Sequence, residues 1–426
     1  MRFLRTLLYV FANRFMTPKS SYSSFSSQNF RQQVPQVAVF LETSNELARA
    51  ILRGIMQYVR MHGPWGLHIA GGGFDEQKLS DLRHWGATGI IARLSNENLA
   101  QMIIKAKLPT VLFLPQGVGD SFLSSPTFRC GTFRNDSAAI GNKAAEYFLE
   151  QQFEHLAFIG DIHAATWSLL REQAFVQHLR QAGYDTHVFP VDPSIQDWWR
   201  ERRHVVQWLK TLQKPFAVFA ANDNRGRQLL DACLVAGITV PYQAAVLGVD
   251  NDELVCESSQ PTLSSIAIGS EQAGFRAAEM LDRMFHGGES EHLLYGPTKI
   301  VSRESTDLVH VSDVTVIRAL EFIRINTGFQ IRVSDVAKHV GTTPRWLEIL
   351  FKRHLGFSVV DEIKRIRLKR VCVLLKESDL SFQEISELCG FENANYLSRI
   401  FRLKYGMTMT QFKENPVNSV DPVKIC

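Results

Sequence analysis

Polar residues gather where short apolar runs end. Glu42 follows VAVFL, Asp161 follows LAFIG, Asn222-Asp223-Asn224 follows FAVFAA, and Asp250-Asn251 follows AVLGV. Carboxylates and amides at such positions offer hydrogen-bond acceptors to a bound molecule, or they cap the next helix and close a turn. An isolated Asn-Asp pair is expected to cap, whereas several acids at one sheet edge fit a binding cleft equally well. A second set lies near the C-terminus, where one short segment turns Arg345, Glu348, Ile349 and Lys352 outward and another Asn393, Ala394, Asn395 and Arg399. Arg pairs bidentately with guanine and Asn with adenine, each worth roughly 1–3 kcal/mol of discrimination, so the chemistry there is that of reading base edges. Asn393 opens its segment and is expected first as an N-cap. For Arg345 and Arg399 the plainer alternative is a solvated face.

The elements that must position these residues are legible as alternation. VPQVAVFLE (Val34 to Glu42) has the pattern of a buried strand, and ELARAILRGIMQYVRMHG that of an amphipathic helix ended by Gly63. GLHIAGG, TGIIARL, PTVLFLP, HLAFIGD, FAVFAAND and AAVLGVDN repeat the strand pattern, and helical stretches such as SAAIGNKAAEYFLEQQ and NRGRQLLDACLVAG separate most of them. This rhythm predicts βαβ units and parallel sheets, two of which fit between Val34 and Arg303. In open α/β sheets a ligand sits outside the carboxyl ends of the strands, which is where the acids fall. SRESTDLVHVSD (Ser302 to Asp313) is polar and aperiodic, the pattern of a linker.

Beyond it every segment reads as helical. VSDVAKHVGTTPRWLEILFKRHLG predicts a helix with Val333, Val336, Ala337 and Val340 inward, a break at Gly341, and a second helix with Leu347, Leu350 and Phe351 inward. SFQEISELCGFENANYLSRIFRLKYG repeats the plan with Ile385, Leu388 and Cys389 before Gly390, then Tyr396, Leu397, Ile400 and Phe401. VVDEIKRIRLKRVCVLLKES joins the pairs as a long basic helix. Helix, glycine turn and helix, twice over, is a double helix-turn-helix, whose second helices enter the major groove while basic residues meet phosphates. Arg365, Arg367, Lys369, Arg370, Arg402 and Lys404 are the phosphate candidates.

Charge agrees with this division. The whole chain of 426 residues carries a formal +4, yet residues 1–312 hold 29 Lys+Arg against 30 Asp+Glu, and residues 313–416 hold 17 against 12. A polyanion would find its basic surface in the C-terminal quarter. Six cysteines lie far apart without a CxxC pair, which argues against a zinc site or disulfide framework and for a reduced, cytoplasmic setting. The opening MRFLRTLLYVFANRF resembles a secretory signal only faintly: Asn13 and Arg14 interrupt a short apolar run, and a disordered leader with Met16 as an alternative start is expected instead. No G-x-S-x-G, G-x-x-x-x-G-K-[ST] or H-E-x-x-H occurs, and His163 and His204 lack a partner at triad or metal spacing. An enzyme, a cofactor and a metal are therefore not expected.

CGFENANYLSRIFRLKYGMTMTQF resembles the signature of AraC-type transcription regulators, over about 100 residues from Asp313 to Pro416. FAANDNRGRQLLDACLVAGITVPYQAAVLGVDNDELVCESSQPTLSSIAIGSEQAGFRAAEML resembles the sugar-binding core of LacI/GalR-type repressors through its A-x-N-D, G-x-x-V-P, G-x-D-N, P-x-L-S-S and G-x-x-A motifs, a likeness extending over Val34 to Arg303. WSLLREQAF, GVDNDEL and SRESTD resemble regulators of pentose catabolism, implying a pentose such as xylose. The resemblances imply an α/β two-lobed periplasmic-binding-protein-like sensor followed by an all-α domain with two helix-turn-helix motifs. The implied boundaries are a leader at 1–33, a first lobe at about 34–132 and 268–297, a second at about 134–264 and 298–303, a linker at 304–313, the DNA-binding region at 314–416 and a tail at 417–426. The chain would pass between lobes near Thr132, Ser265 and Thr298. Glu42, Asn135 with Asp136, Trp167, Arg171, Asp223 and Asp250 are the implied ligand residues, with Asn135 standing where the family pattern places an Asp. Carboxylates accepting from vicinal hydroxyls, an Arg fork and an indole face suit an uncharged, hydroxyl-rich ligand. Double-stranded promoter DNA, a second copy in a homodimer and, for an activator, RNA polymerase are the implied partners, with no membrane. The rival from another class is a periplasmic sugar receptor, which has no use for the helical C-terminal quarter.

Overall fold

The computed structural model describes residues 34–69, 86–94, 97–115, 130–192, 194–195, 197–307, 313–326 and 328–414. The expectations for the leader, for Met16 and for the tail lie outside these residues. Two six-stranded sheets carry the first three quarters of the chain. The first contains β1 (Gln36–Phe40), β2 (Gly66–Ile69), β3 (Gly89–Arg93), β4 (Thr110–Leu114), β5 (Cys130–Asn135) and β11 (His292–Tyr295), ordered β11-β5-β4-β3-β1-β2 with every neighbouring pair parallel. The second contains β6 (His155–Ile159), β7 (Thr186–Val188), β8 (Phe216–Ala220), β9 (Ala244–Val249), β10 (Ser264–Ile268) and β12 (Pro297–Val301), ordered β12-β10-β9-β8-β6-β7 with β12 antiparallel to β10. All the apolar runs read as strands are strands. Central strands such as β4, β8 and β9 are buried along their whole length, as parallel strands covered on both faces must be. The edge strands β7, β11 and β12 are short and half-exposed, so their residues lack the apolar signal that made the others readable.

Helices α1 (Glu46–His62), α2 (Glu97–Ala106) and α8 (Ser270–Phe285) accompany the first sheet, and α3 (Ser137–Glu150), α4 (Thr166–Gln181), α5 (Trp198–Thr211), α6 (Asp223–Ala236) and α7 (Glu253–Ser258) the second. At the crossing of α1 and α8 a Cβ on Gly54 would lie 1.9 Å from the Glu271 carbonyl oxygen, and one on Gly274 2.0 Å from that of Ile51. Only glycine allows the two backbones to approach this closely.

The passages between sheets fall at strand ends. β5 stays paired with β4 as far as Arg134 and with β11 as far as Asn135, β10 continues to Ile268, and Gly296 alone separates β11 from β12. The first two passages therefore stand just beyond the expected Thr132 and Ser265, because strand pairing persists until the chain leaves the sheet, and the third stands just before Thr298, because β12 already begins at Pro297. The passing strands bond to one another: Asp136 N donates to the Tyr295 carbonyl at 2.8 Å, and Gly269 N to that of Gly296 at 3.0 Å.

The expected linker requires correction at its start. Ser302 to Asp307 is built into the second lobe: Ser305 and Thr306 are buried, and the Ser305 hydroxyl donates to the Val246 carbonyl at 2.6 Å while accepting from Ser264 N at 2.8 Å. Short hydroxyl side chains satisfied by backbone look aperiodic in sequence, yet they bury well when every polar atom is paired.

The helical region comprises α9 (Val314–Ile325), α10 (Val333–Val340), α11 (Pro344–Leu355), α12 (Val359–Glu377), α13 (Phe382–Leu388), α14 (Ala394–Tyr405) and α15 (Met409–Glu414). α12 spans two cores, giving Val359 and Ile363 to the first and Leu368, Val371, Cys372 and Leu375 to the second. Val336, Ala337, Leu347, Leu350, Phe351, Ile385, Cys389, Leu397 and Phe401 are buried as expected. Leu388 is not: it is 43% exposed, and Ser386 is buried in its place with its hydroxyl donated to the Gln383 carbonyl. Helix α13 ends at Leu388, so the side chain falls on the outer face of a helix too short for hydrophobicity alone to set its phase.

Candidate functional site

The carboxyl ends of both sheets face a cavity of about 230 Å³. This is below the ~300–1,000 Å³ of sites for drug-sized ligands and suits a single ring. Asn135, Trp167, Arg171, Asp223 and Asp250 line it, five of the seven ligand residues expected. Asp136 does not: its Oδ1 accepts from Ala139 N at 2.9 Å and caps α3. Glu42 does not either, its carboxylate accepting from the Ser44 hydroxyl at 3.0 Å on the exposed loop before α1. Strand-end acids double as turn and cap residues, and these two are used locally. Asp161 behaves likewise, its carboxylate accepting from His163 N at 3.0 Å. Asn222 both lines the cavity and caps α6 through Arg225 N at 2.9 Å.

Four buried polar atoms at the cavity lack a protein partner among the described residues: Asn135 Oδ1 from the first sheet, and Ser137 Oγ, Arg171 Nε and Asp250 Oδ1 from the second lobe. Buried polar atoms are rarely left unpaired, so two acceptors, one donor and one hydroxyl converging from both lobes mark places for a ligand's own hydrogen bonds. Asp250 stands at φ 103°, a conformation that a residue with a side chain adopts at a cost of order 1–3 kcal/mol. Burial raises its pKa to about 6 despite the attraction of Arg171 and Arg93. Burial, with Asp250 adding, raises that of Asp223 well above the usual carboxylate range. Asp223 Oδ1 accepts from the Ser265 hydroxyl at 2.5 Å and Oδ2 from Asp252 N at 2.7 Å. The Arg171 guanidinium donates to the Ala221 carbonyl and lies 4.9 Å from the Trp167 ring centroid, which fixes both side chains.

The cavity also contains Arg93, Phe113, Tyr295, Asn45, Glu46 and Asp252. Arg93 ends a strand just as the acids do, so the same positional rule applies to it. Tyr295 lies on an edge strand that had no sequence signal. Asp252 joins the lobes: its Oδ2 accepts from Glu46 N and from the Arg49 guanidinium, each at 3.2 Å.

In the helical region α11 and α14 are equivalent at a spacing of 50 residues, from the N-caps Thr343 and Asn393 to the C-cap glycines 356 and 406. Arg345, Ile349, Lys352, Asn395 and Arg399 are exposed on these helices. Asn393 caps α14, its Oδ1 accepting from Tyr396 N at 2.8 Å, and Ala394 is its half-buried first residue. Glu348 is half-buried and accepts from Val359 N at 3.3 Å, which holds the start of α12 rather than facing outward. Three phosphate candidates are engaged within the protein: Arg365 and Lys369 bond Asp307, and Arg367 donates to the carbonyls of Phe329 and Ile331. Arg370 and Arg402 are exposed, and Lys404 is half-buried.

Residues 145–306 match a family described as periplasmic binding protein-like domain, and residues 336–415 one described as helix-turn-helix domain. The chain is 28% identical to the xylose operon regulatory protein of Haemophilus influenzae over 90% of its own length and 99% of that protein's. It is 27% identical to that of Escherichia coli strain K12, over 90% and 97%. The structure of a xylose-binding transcription activator superposes with a TM-score of 0.76 at 26% identity, covering 90% of this chain and 98% of that one. These relatives are transcription regulators, not enzymes. Among the described residues no helix is long and apolar enough to cross a membrane. Combining a periplasmic-binding-protein-like domain with a double helix-turn-helix domain, and similar to xylose operon regulatory proteins along nearly its whole length, the chain is a DNA-binding transcription regulator.

Proposed function

We propose that this chain is a sugar-responsive regulator whose ligand is a pentose of the xylose type, bound between the two lobes and altering promoter binding by the C-terminal region. The observation that carries the ligand reading is the set of unpaired buried atoms, Asn135 Oδ1, Ser137 Oγ, Arg171 Nε and Asp250 Oδ1, arranged around a ring-sized cavity beside Trp167. Hydroxyl groups both donate and accept, so vicinal hydroxyls satisfy carboxylate, amide and guanidinium together, while the indole face covers C–H groups. The names of the relatives support xylose as the sugar.

A ligand shifts an equilibrium only by its differential affinity for two states, so contacts made by both lobes are the effective ones. Asn135 reaches the ligand from one lobe and Arg171, Asp223 and Asp250 from the other, with the Asp252 bridge to Glu46 and Arg49 closing beside them. Regulation of sugar-catabolism genes in the cytoplasm, as a homodimer and with RNA polymerase as partner where it activates, completes the reading. Calorimetry against a panel of pentoses and hexoses is the test, followed by operator retention with each sugar that binds. Xylose or a close pentose should bind and change retention, and Asp223→Ala should abolish the response with the fold intact. Identical retention with every monosaccharide would overturn the proposal.

A further inference from the structure

The two groove-facing helices carry different chemistry at equivalent positions. On α14 the exposed Arg399 has its guanidinium 5.5 Å from the ring centroid of Tyr396 one turn earlier. Fifty residues earlier, α11 places Ile349 where Arg399 stands and Trp346 where Tyr396 stands. Trp346 is 49% exposed and Ile349 41%, although the opposite face of the helix, Leu347, Leu350 and Phe351, is buried. Residues three apart on a helix are neighbours, so the indole and the isoleucine form one apolar patch. Exposed Arg345, Lys352 and Arg353 surround it. An apolar patch ringed by cations is complementary to the major groove, where phosphates flank the edges and the thymine C5-methyl is the one apolar group presented.

We propose that Trp346 and Ile349 read thymine methyl groups, so that the first helix-turn-helix selects thymine steps by apolar contact while the second selects by hydrogen bonding through Arg399. The inference rests on the DNA-binding reading and assigns a base class to each half of the recognition surface. It also fits Glu348, whose carboxylate is turned to Val359 N and so leaves this part of the groove face without an acceptor aimed at a base.

The test uses the full chain and a duplex selected from a random library, with the two protected halves assigned by footprinting. Replacing thymines by deoxyuridine removes the methyl and nothing else, and needs no variant protein to fold. Substitution in the half facing α11 should weaken binding about fourfold per contacted methyl, the value of one buried methyl-sized group. Ile349→Ala and Trp346→Ala should bind thymine and deoxyuridine duplexes with equal affinity, whereas Arg399→Ala should keep the methyl sensitivity and lose base preference in the other half. Indifference of the unaltered protein to deoxyuridine, or full methyl sensitivity in both apolar variants, overturns the inference while DNA binding stands. Failure to retain any duplex sinks the DNA-binding reading together with it.

Discussion

Asp250 concentrates the demands placed on single residues here. It is a half-buried carboxylate at positive φ with an unpaired oxygen, and burial lifts its pKa to about 6 in spite of two nearby guanidinium groups. Two opposite pH effects follow. The folded-state pKa lies above the unfolded value near 3.8, so the contribution of this group to stability is present below pH 4 and is lost as pH rises through 6. Ligand binding runs the other way, because hydroxyl donors favour the ionised carboxylate: sugar affinity should fall as pH drops below about 6. Calorimetry between pH 5 and pH 8, paired with thermal melts of the free protein, reads both slopes. Asp250→Asn should flatten the affinity profile and weaken binding by roughly 10-fold or more, the worth of one hydrogen bond to a charged group. An unchanged profile in that variant would assign the titration to Asp223 instead.

At the scale of elements, the contact of α1 with α8 decides whether the first lobe forms. The helices meet through Gly54 and Gly274, each facing the backbone of the other helix. Gly274→Val has no side-chain end to push aside, so separation of the helices should cost about 3 kcal/mol and lower the denaturant midpoint of the first lobe. A melt indistinguishable from that of the unaltered protein would show that the helices can slide apart freely. The same reasoning explains why α1 belongs to the ligand site: its N-cap Asn45 and Glu46 line the cavity, and Glu46 N and Arg49 hold Asp252 across the gap. A helix fixed at one point along its length by glycine packing presents its N-terminus to the second lobe as a rigid arm.

Across the whole molecule, one run of chain links the sugar site to the DNA-binding region. Asn251, beside Asp250, accepts from the Arg303 guanidinium at 2.9 Å. Arg303 leads through buried Ser305 and Thr306 to Asp307, which takes Arg365 at 3.2 Å and the ammonium of Lys369, both on α12. Burial opposes the charge on Asp307, but Lys369 and Arg365 hold its pKa below the usual carboxylate value. Close by, Tyr242 of the second lobe is buried in the core of the first helix-turn-helix, and Arg324 donates to the Val240 carbonyl at 2.9 Å. The second lobe and α12 are thus joined by a charged cluster and an apolar contact. Asp307→Ala should leave sugar affinity within about twofold, since it touches no ligand group, while reducing the sugar-dependent change in operator affinity by several-fold. Retention assays with and without sugar check this, and full coupling in the variant would place transmission in another part of the molecule.

Periodicity and punctuation made much of this readable from residues alone. Central strands announce themselves because both faces are buried, and the helix-turn-helix pairs because apolar spacing, N-caps and glycine stops coincide within 25 residues. The strand-end rule found Asp223 and Asp250 for the same local reason. What it could not do was separate them from Glu42 and Asp161, since an acid after a strand has one sequence signature whether it faces a cavity or closes a local turn. Leu388 and Glu348 turn the other way, and Arg365, Arg367 and Lys369 find internal partners, for a related cause: orientation at a short helix and the choice between solvent and an internal partner depend on what the other elements bring alongside. The burial of Ser305 and Thr306, the passages at Asn135, Ile268 and Gly296, and the bridge from Asp252 to α1 likewise arise from pairings between residues far apart in the chain. Contacts over such separations leave no local pattern, and they exist only once both sheets have closed around one cleft.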